Sequence, residues 1–148
     1  MTQEEKELLI KDLCARLPYK VKAYIKNWSK LDQKYYEGTY TIESVHPSLN
    51  DIYAATENGS VGVILGHTDY VIKPYLFPLS SITIEQEKEL SKLGISYGEY
   101  ALHDDIRGLG IMVDEAYIFF EFCYKNHIDF LGLIEMGLAI DATGLNIY

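Results

Sequence analysis

The segment YKVKAYIKNW, residues 19–28, alternates between polar and apolar side chains from Lys20 to Lys26. Val21, Ala23 and Ile25 fall on one side of this alternation, and three lysines and a tyrosine fall on the other. Successive side chains of a β-strand point to opposite faces, so this period is typical of a strand that is buried on one side. The segment therefore predicts a strand with one face on a hydrophobic core and its lysines in solvent.

Four further segments favour strands. Residues 35–46 (YYEGTYTIESVH) are rich in Tyr, Thr, Ile and Val, the residues that fit a pleated surface. Residues 51–56 and 61–65 flank an Asn-Gly pair, which suits a tight hairpin turn, and residues 70–75 give a short fifth candidate. Five strand signals with short connections predict a small antiparallel meander sheet or an open barrel.

Helices are predicted before and after the strands. Residues 2–17 begin with Thr2 and residues 84–93 directly follow Thr83, and each threonine is followed three residues later by Glu or Gln, the pattern of a capping box. Residues 115–126 carry a strongly apolar face that includes Phe119 and Cys123. The predicted class is α+β, with an N-terminal helix and two or three further helices.

Length and composition favour a single domain over residues 1–148, since 148 residues with 48% apolar content suffice for one core. Cys14 and Cys123 lie in amphipathic stretches, where small thiols are usually buried, so no disulfide is expected. The first residues, MTQEEKELL, lack the pattern of a secretory signal, and the apolar runs are too short to span a bilayer. These features predict a cytoplasmic protein without a membrane partner.

Charge is distributed unevenly along the chain. Of the net charge of −9, −8 falls on residues 83–148. An acidic protein repels polyanions at long range, which argues against nucleic-acid binding. Residues 19–34, however, contain five lysines and only one acidic residue, Asp32. A local basic surface is therefore expected in this segment.

The candidate binding residues form what we call the basic aromatic strip: Lys20, Lys22, Tyr24, Lys26, Trp28, Tyr35 and Tyr36. Lysines neutralise phosphates and aromatic rings stack on bases, so such a strip suits single-stranded nucleic acid. The same residues also suit a solvated strand face or pairing to the acidic C-terminal part, which the charges favour, or a protein partner. The thirteen tyrosines of the chain fit a protein-recognition surface.

Catalytic or metal chemistry has weaker signals. The best local groups are His103 with Asp104 and Asp105, and His127 with Asp129, and neither has the spacing of a known zinc or nucleophile motif. We therefore predict no catalytic residue, no metal site and no cofactor. A small hydrolase or nuclease built on these residues remains a third alternative.

Three blocks of sequence carry a resemblance: KDLCARLPYKV at residues 11–21, KPYLFPLSSIT at residues 73–83, and HIDFLGLIEMGLAI at residues 127–140. In this order they resemble a family of short uncharacterised proteins from gut-bacterial genomes and their phages. The resemblance implies an accessory protein of a phage or mobile element, and it implies no activity or ligand.

The preferred hypothesis is a non-enzymatic binding or adaptor module that presents a tyrosine-rich surface to a protein partner. The alternative is an accessory protein that binds single-stranded nucleic acid through the strip at residues 20–36. Oligomeric state is left open by these patterns.

Overall fold

The computed structural model describes residues 1–29, 32–57, 59–95 and 113–148. Its described part has three α-helices: α1 (Gln3–Arg16), α2 (Ile84–Lys92) and α3 (Val113–Lys125). The seven strands of this part are β1 (Lys22–Ser29), β2 (Lys34–His46), β3 (Asp51–Thr56), β4 (Gly59–Ile64), β5 (Tyr70–Pro78), β6 (Ile128–Asp129) and β7 (Ile140–Asp141). Two single 3-10 turns lie at Leu17–Tyr19 and Leu79–Ser81. The predicted α+β class is confirmed.

The strands form one mixed, open sheet in the order β4-β3-β2-β1-β5-β6, with β7 also paired to β5. All pairings among β1 to β5 are antiparallel, in agreement with the predicted antiparallel sheet of about five strands. β5 does not continue the meander beside β4, because it pairs with β1 at the opposite edge. β6 and β7 pair with β5 in parallel. The antiparallel prediction therefore holds for β1 to β5 and does not include the parallel strands β6 and β7.

The main core lies between α1 and one face of the sheet. Both capping boxes predicted for the helices are present, at Thr2 for α1 and at Thr83 for α2. The core side chains are Leu9, Ile10 and Leu13 of α1 together with Val21, Ala23, Ile25, Ile42, Ile52, Ala54, Val63, Leu65 and Ile72. The alternation in residues 19–28 thus predicted the buried face of β1 correctly. We call the opposite side of the sheet the outer face.

A second apolar cluster joins α2, α3 and β6, and it contains Leu90, Ile95, Phe119, Phe122, Cys123, Ile128 and Phe130. The predicted apolar face of the third helix is confirmed by the burial of Phe119 and Cys123. Both cysteines are free, and burial raises the pKa of the Cys123 thiol to about 12. A thiol with this pKa stays protonated and acts as a small apolar side chain.

A buried ion pair in α1 connects this helix to α3 and β6. Arg16, at the end of α1, has no exposed surface, and its Nε donates to Asp12 Oδ2 over 2.8 Å. The two terminal nitrogens of Arg16 donate to the backbone oxygens of Cys123 (3.1 Å) and Ile128 (2.8 Å). The guanidinium also lies 5.2 Å from the centre of the Tyr124 ring. Arg16 of α1 therefore donates hydrogen bonds to backbone oxygens of both α3 and β6.

The start of the first strand differs from the prediction. Leu17–Tyr19 form a 3-10 turn, and Lys20 follows in the left-handed region with a φ of 55°. A left-handed residue cannot continue the extended alternation, so β1 begins only at Lys22. In the described part of the chain, no helix combines the length and the apolar character needed to cross a bilayer.

Candidate binding surface

The ends of β1 and β2 extend beyond the rest of the sheet. β5 pairs with β1 only as far as Asn27, and β3 pairs with β2 only from Thr41 onward. β1 and β2 continue to pair with each other up to Ser29. Residues 28–29 and 34–36 thus form a two-stranded projection, which we call the arm, and its base is held by a hydrogen bond from the Trp28 N–H to the backbone oxygen of Asp69 (3.0 Å).

Aromatic side chains of the arm are exposed on both of its faces. On the outer face, the rings of Trp28 and Tyr35 meet edge to face with centroids 4.9 Å apart. Tyr36, the next residue, points to the opposite face, where its hydroxyl donates to Asp32 over 2.9 Å. Tyr35 is 52% exposed and Tyr36 is 39% exposed. Two large aromatic side chains therefore face solvent in opposite directions.

Glu37 occupies the centre of the strip on the outer face. Its carboxylate accepts a hydrogen bond of 2.6 Å from the Tyr24 hydroxyl and lies 3.7 Å from Lys26 Nζ. The hydrogen bond to Glu37 raises the pKa of the Tyr24 hydroxyl, because the carboxylate favours the protonated donor. Lys26 Nζ also lies 4.8 Å from the centre of the Tyr35 ring. The positive charge of Lys26 is thus partly neutralised within the protein.

The other strip lysines are not arranged as one free row. Lys20 lies before β1, so the prediction that it shares a strand face with Lys22 and Lys26 is wrong. Lys22 Nζ donates to the backbone oxygen of Ile147 over 2.6 Å. Lys34, at the arm, lies over the ring of Tyr36 at 4.5 Å. Two of the three strip lysines, Lys22 and Lys26, therefore already have partners, and so does Lys34 beside the strip.

The last residues of the chain cover the adjoining part of the sheet. Tyr148 Oη accepts a hydrogen bond from the backbone N–H of Lys22 (3.1 Å) and donates to the backbone oxygen of Tyr75 (2.8 Å). It therefore bridges β1 and β5 just beyond their last pair, and burial raises its pKa to about 12. The Tyr148 ring stacks on His127 with centroids 3.9 Å apart.

His127 and Asp129, the predicted pair, are both buried and both contact other parts of the protein. Both carboxylate oxygens of Asp129 accept backbone N–H groups, from Leu133 at 3.0 Å and from Ile134 at 2.7 Å. His127 is buried against Tyr148, and burial, followed by the charges of Arg16 and Lys22, lowers its pKa to about 4. These contacts hold the turn and the chain end.

The remaining hydrolase candidates, His103, Asp104 and Asp105, lie outside the described residues. Within the residues that the structure does describe, no group of three or more His, Cys, Asp or Glu side chains could hold a metal ion.

The depressed pKa of His127 predicts an acid sensitivity of the fold. The unfolded state binds a proton near pH 6.5 and the folded state only near pH 4, so stability is lost as pH falls through this window. We expect the free energy of unfolding to decrease by about 2 kcal/mol from this residue, a value reduced for partial solvent screening. Denaturant unfolding at several pH values measures it.

The control for this prediction is His127→Asn, since His127 has a φ of 55° and asparagine tolerates that conformation without titrating. The stability difference between the wild type and the variant should shrink from pH 7 to pH 4. A difference that stays constant over this range would contradict the assignment.

Comparisons of the chain with protein-family models, with curated proteins and with solved structures found no match. The interpretation of the site therefore depends on its geometry.

Sequence reasoning missed Glu37 and the geometry of the arm. It grouped Tyr35 with Tyr36, although adjacent strand residues face opposite sides. The missing information was the hairpin register, which places Glu37 opposite Lys26 and Tyr35 opposite Trp28. A complementary charge pair such as Lys26 and Glu37 is the signal that could have indicated this register.

Proposed function

We propose that the protein is a non-enzymatic binding module that contacts a protein partner through the arm. The observation that carries this proposal is the exposure of Tyr35 and Tyr36 on opposite faces of a two-stranded projection. Tyrosine and tryptophan are enriched at protein interfaces, because they offer a large contact area and a polar tip. Trp28, packed edge to face on Tyr35, supports the ring from the neighbouring strand.

The charges of the strip favour a protein over a nucleic acid. Lys22 and Lys26 contact a backbone oxygen and a carboxylate, respectively, so phosphate binding would compete with these contacts. The chain also has a net charge of −9, which opposes the approach of a polyanion. An accessory role for a phage or mobile element is part of the same proposal and depends on the sequence resemblance. A cytoplasmic location is also proposed, from the first residues and the short apolar runs.

Partner capture tests the proposal. The tagged wild type, the arm variant Tyr35→Ala with Tyr36→Ala, and a control variant Tyr53→Ala would each be incubated with lysate of the source cells. Tyr53 is 48% exposed on β3 and lies outside the arm, so the control removes one ring whose exposure is close to that of Tyr35. We expect the arm variant to lose a partner that the control retains. Equal retention by both variants would contradict the proposed surface.

The alternative function gives a separate prediction. If the strip bound single-stranded nucleic acid, affinity would fall steeply with salt, and replacing Lys20, Lys22 and Lys26 by Gln would flatten the salt slope by about two units. We expect instead that the wild type shows no binding to single-stranded DNA or RNA in low salt. Fluorescence anisotropy with labelled oligonucleotides measures this. If affinity for the oligonucleotides fell steeply with salt and the three lysine substitutions reduced this dependence, nucleic-acid binding would become the proposed function in place of protein binding.

A further inference from the structure

On its side away from β1, the first part of β2 has backbone N–H and C=O groups that are not paired with any described residue. The N–H of Ile42 donates to the backbone oxygen of Val21 over 2.9 Å, so even-numbered residues of this part of β2 direct their backbone groups toward β1. In an antiparallel strand the direction alternates. The N–H and C=O groups of Tyr35, Glu37 and Thr39 therefore point away from β1, and pairing with β3 begins only after them. We call residues 35–39 the open edge.

We propose that the open edge binds an extended, basic segment of a partner protein, which adds a strand to the sheet beside β2. This inference rests on the proposed function, since it states how the partner of the arm is held. Strand addition satisfies the outward N–H and C=O groups with the main chain of the partner. The tyrosines on the two faces would then contact alternate side chains of the added strand.

Acidic side chains outnumber basic ones at the open edge, where Asp32, Glu37 and Glu57 lie with Lys26 and Lys34, and this excess of negative charge indicates a basic partner. The Glu37 side chain is 57% exposed even with Lys26 beside it. Glu57 directly follows β3, at the end of the open edge nearest Thr41, and Asp32 lies at the arm. With a net charge of −9, the whole chain attracts cationic segments at long range.

The same charges disfavour a second copy of this chain. A copy that paired antiparallel along the full open edge would place its own Glu37 opposite Glu37, and directly opposed like charges destabilise a strand pair. Pairing of two copies along this edge is therefore not expected, and the first experiment is designed to detect it.

The first measurement is amide hydrogen exchange of the free protein by NMR. The amides of Tyr35, Glu37 and Thr39 should exchange fast, while those of Tyr36, Gly38 and Tyr40, which face β1, should be protected. Equal protection of both sets, or protection of the first set that grows with protein concentration, would overturn the proposal, because the edge would then already be covered.

The second measurement uses a defined probe, a capped ten-residue peptide that alternates valine and lysine, with a valine-glutamate peptide as the charge control. The lysine peptide should bind and slow exchange at Tyr35, Glu37 and Thr39. The glutamate peptide should bind at least tenfold more weakly. Absence of binding, or protection confined to another part of the sheet, would overturn the proposal.

A proline variant tests the backbone contact directly. Thr39→Pro removes an outward N–H and the side-chain hydrogen bond with Tyr75 Oη (3.2 Å), and it leaves the backbone bonds of β2 to β1. Strands tolerate proline at such an edge position. We expect the lysine peptide to bind at least fivefold more weakly, with the circular dichroism spectrum unchanged. If the spectrum changes, the variant is set aside, and the hydrogen exchange of the wild type with the lysine peptide decides whether the peptide binds at the open edge.

Capture of the cellular partner separates this inference from the proposed function. Loss of the partner by both Thr39→Pro and the arm variant supports strand addition. If Thr39→Pro retains the partner that Tyr35→Ala with Tyr36→Ala loses, the arm is the contact surface and strand addition is wrong.

Discussion

Replacing Arg16 by methionine is expected to lower the free energy of unfolding by about 3–5 kcal/mol, because it leaves the buried Asp12 carboxylate without its positive partner. Asp12 has no exposed surface, and its second oxygen has no hydrogen-bond partner in the described part of the chain. Burial already raises the pKa of this carboxyl, although Arg16 acts in the opposite direction. The variant also removes the donors to Cys123 and Ile128. Chemical denaturation measures the loss.

The double variant Asp12→Leu with Arg16→Met is the matched control for this prediction. Removing both charges avoids the isolated buried carboxylate, so the double variant should be more stable than Arg16→Met. A loss below about 1 kcal/mol for Arg16→Met would show that Arg16 does not join α1 to α3 and β6 as described.

The second large effect is expected at Phe119, which is 2% exposed in the cluster of α2, α3 and β6. Phe119→Ala should cost about 3–5 kcal/mol, since it removes a buried ring and leaves a cavity. Tyr117 lies on the same helix with 67% of its surface exposed, so Tyr117→Ala should change stability by less than about 0.5 kcal/mol. Similar losses in both variants would mean that the buried face of α3 is misassigned.

The sequence predicted the elements whose period extends over many residues. Alternation in residues 19–28 indicated which face of β1 is buried, and the capping pattern at Thr2 located the start of α1. Strands β6 and β7 have two residues each, and no period can be recognised over two residues. They depend on pairing with β5, which is a tertiary contact.

The sequence predicted which residues form the candidate binding surface, but it did not predict how they are arranged around Glu37. The strip residues Tyr24, Lys26, Trp28 and Tyr35 do share the outer face near the arm. Their charges could not be judged from the sequence, since Glu37 meets Lys26 only in the register of the hairpin. Asp12 and Arg16 are spaced four residues apart, a spacing that also suits an exposed helix pair, so their burial required the structure.

Contact between the arm and a protein partner is tested most directly by site-specific photo-cross-linking. A photoreactive phenylalanine analogue would replace Tyr35 in one variant and Tyr53 in another, since both positions are about half exposed and both lie on strands. After irradiation in the source cells, the arm position should give a covalent adduct with a protein, and the β3 position should not. Adducts from position 53 without adducts from position 35 would contradict the arm as the binding surface.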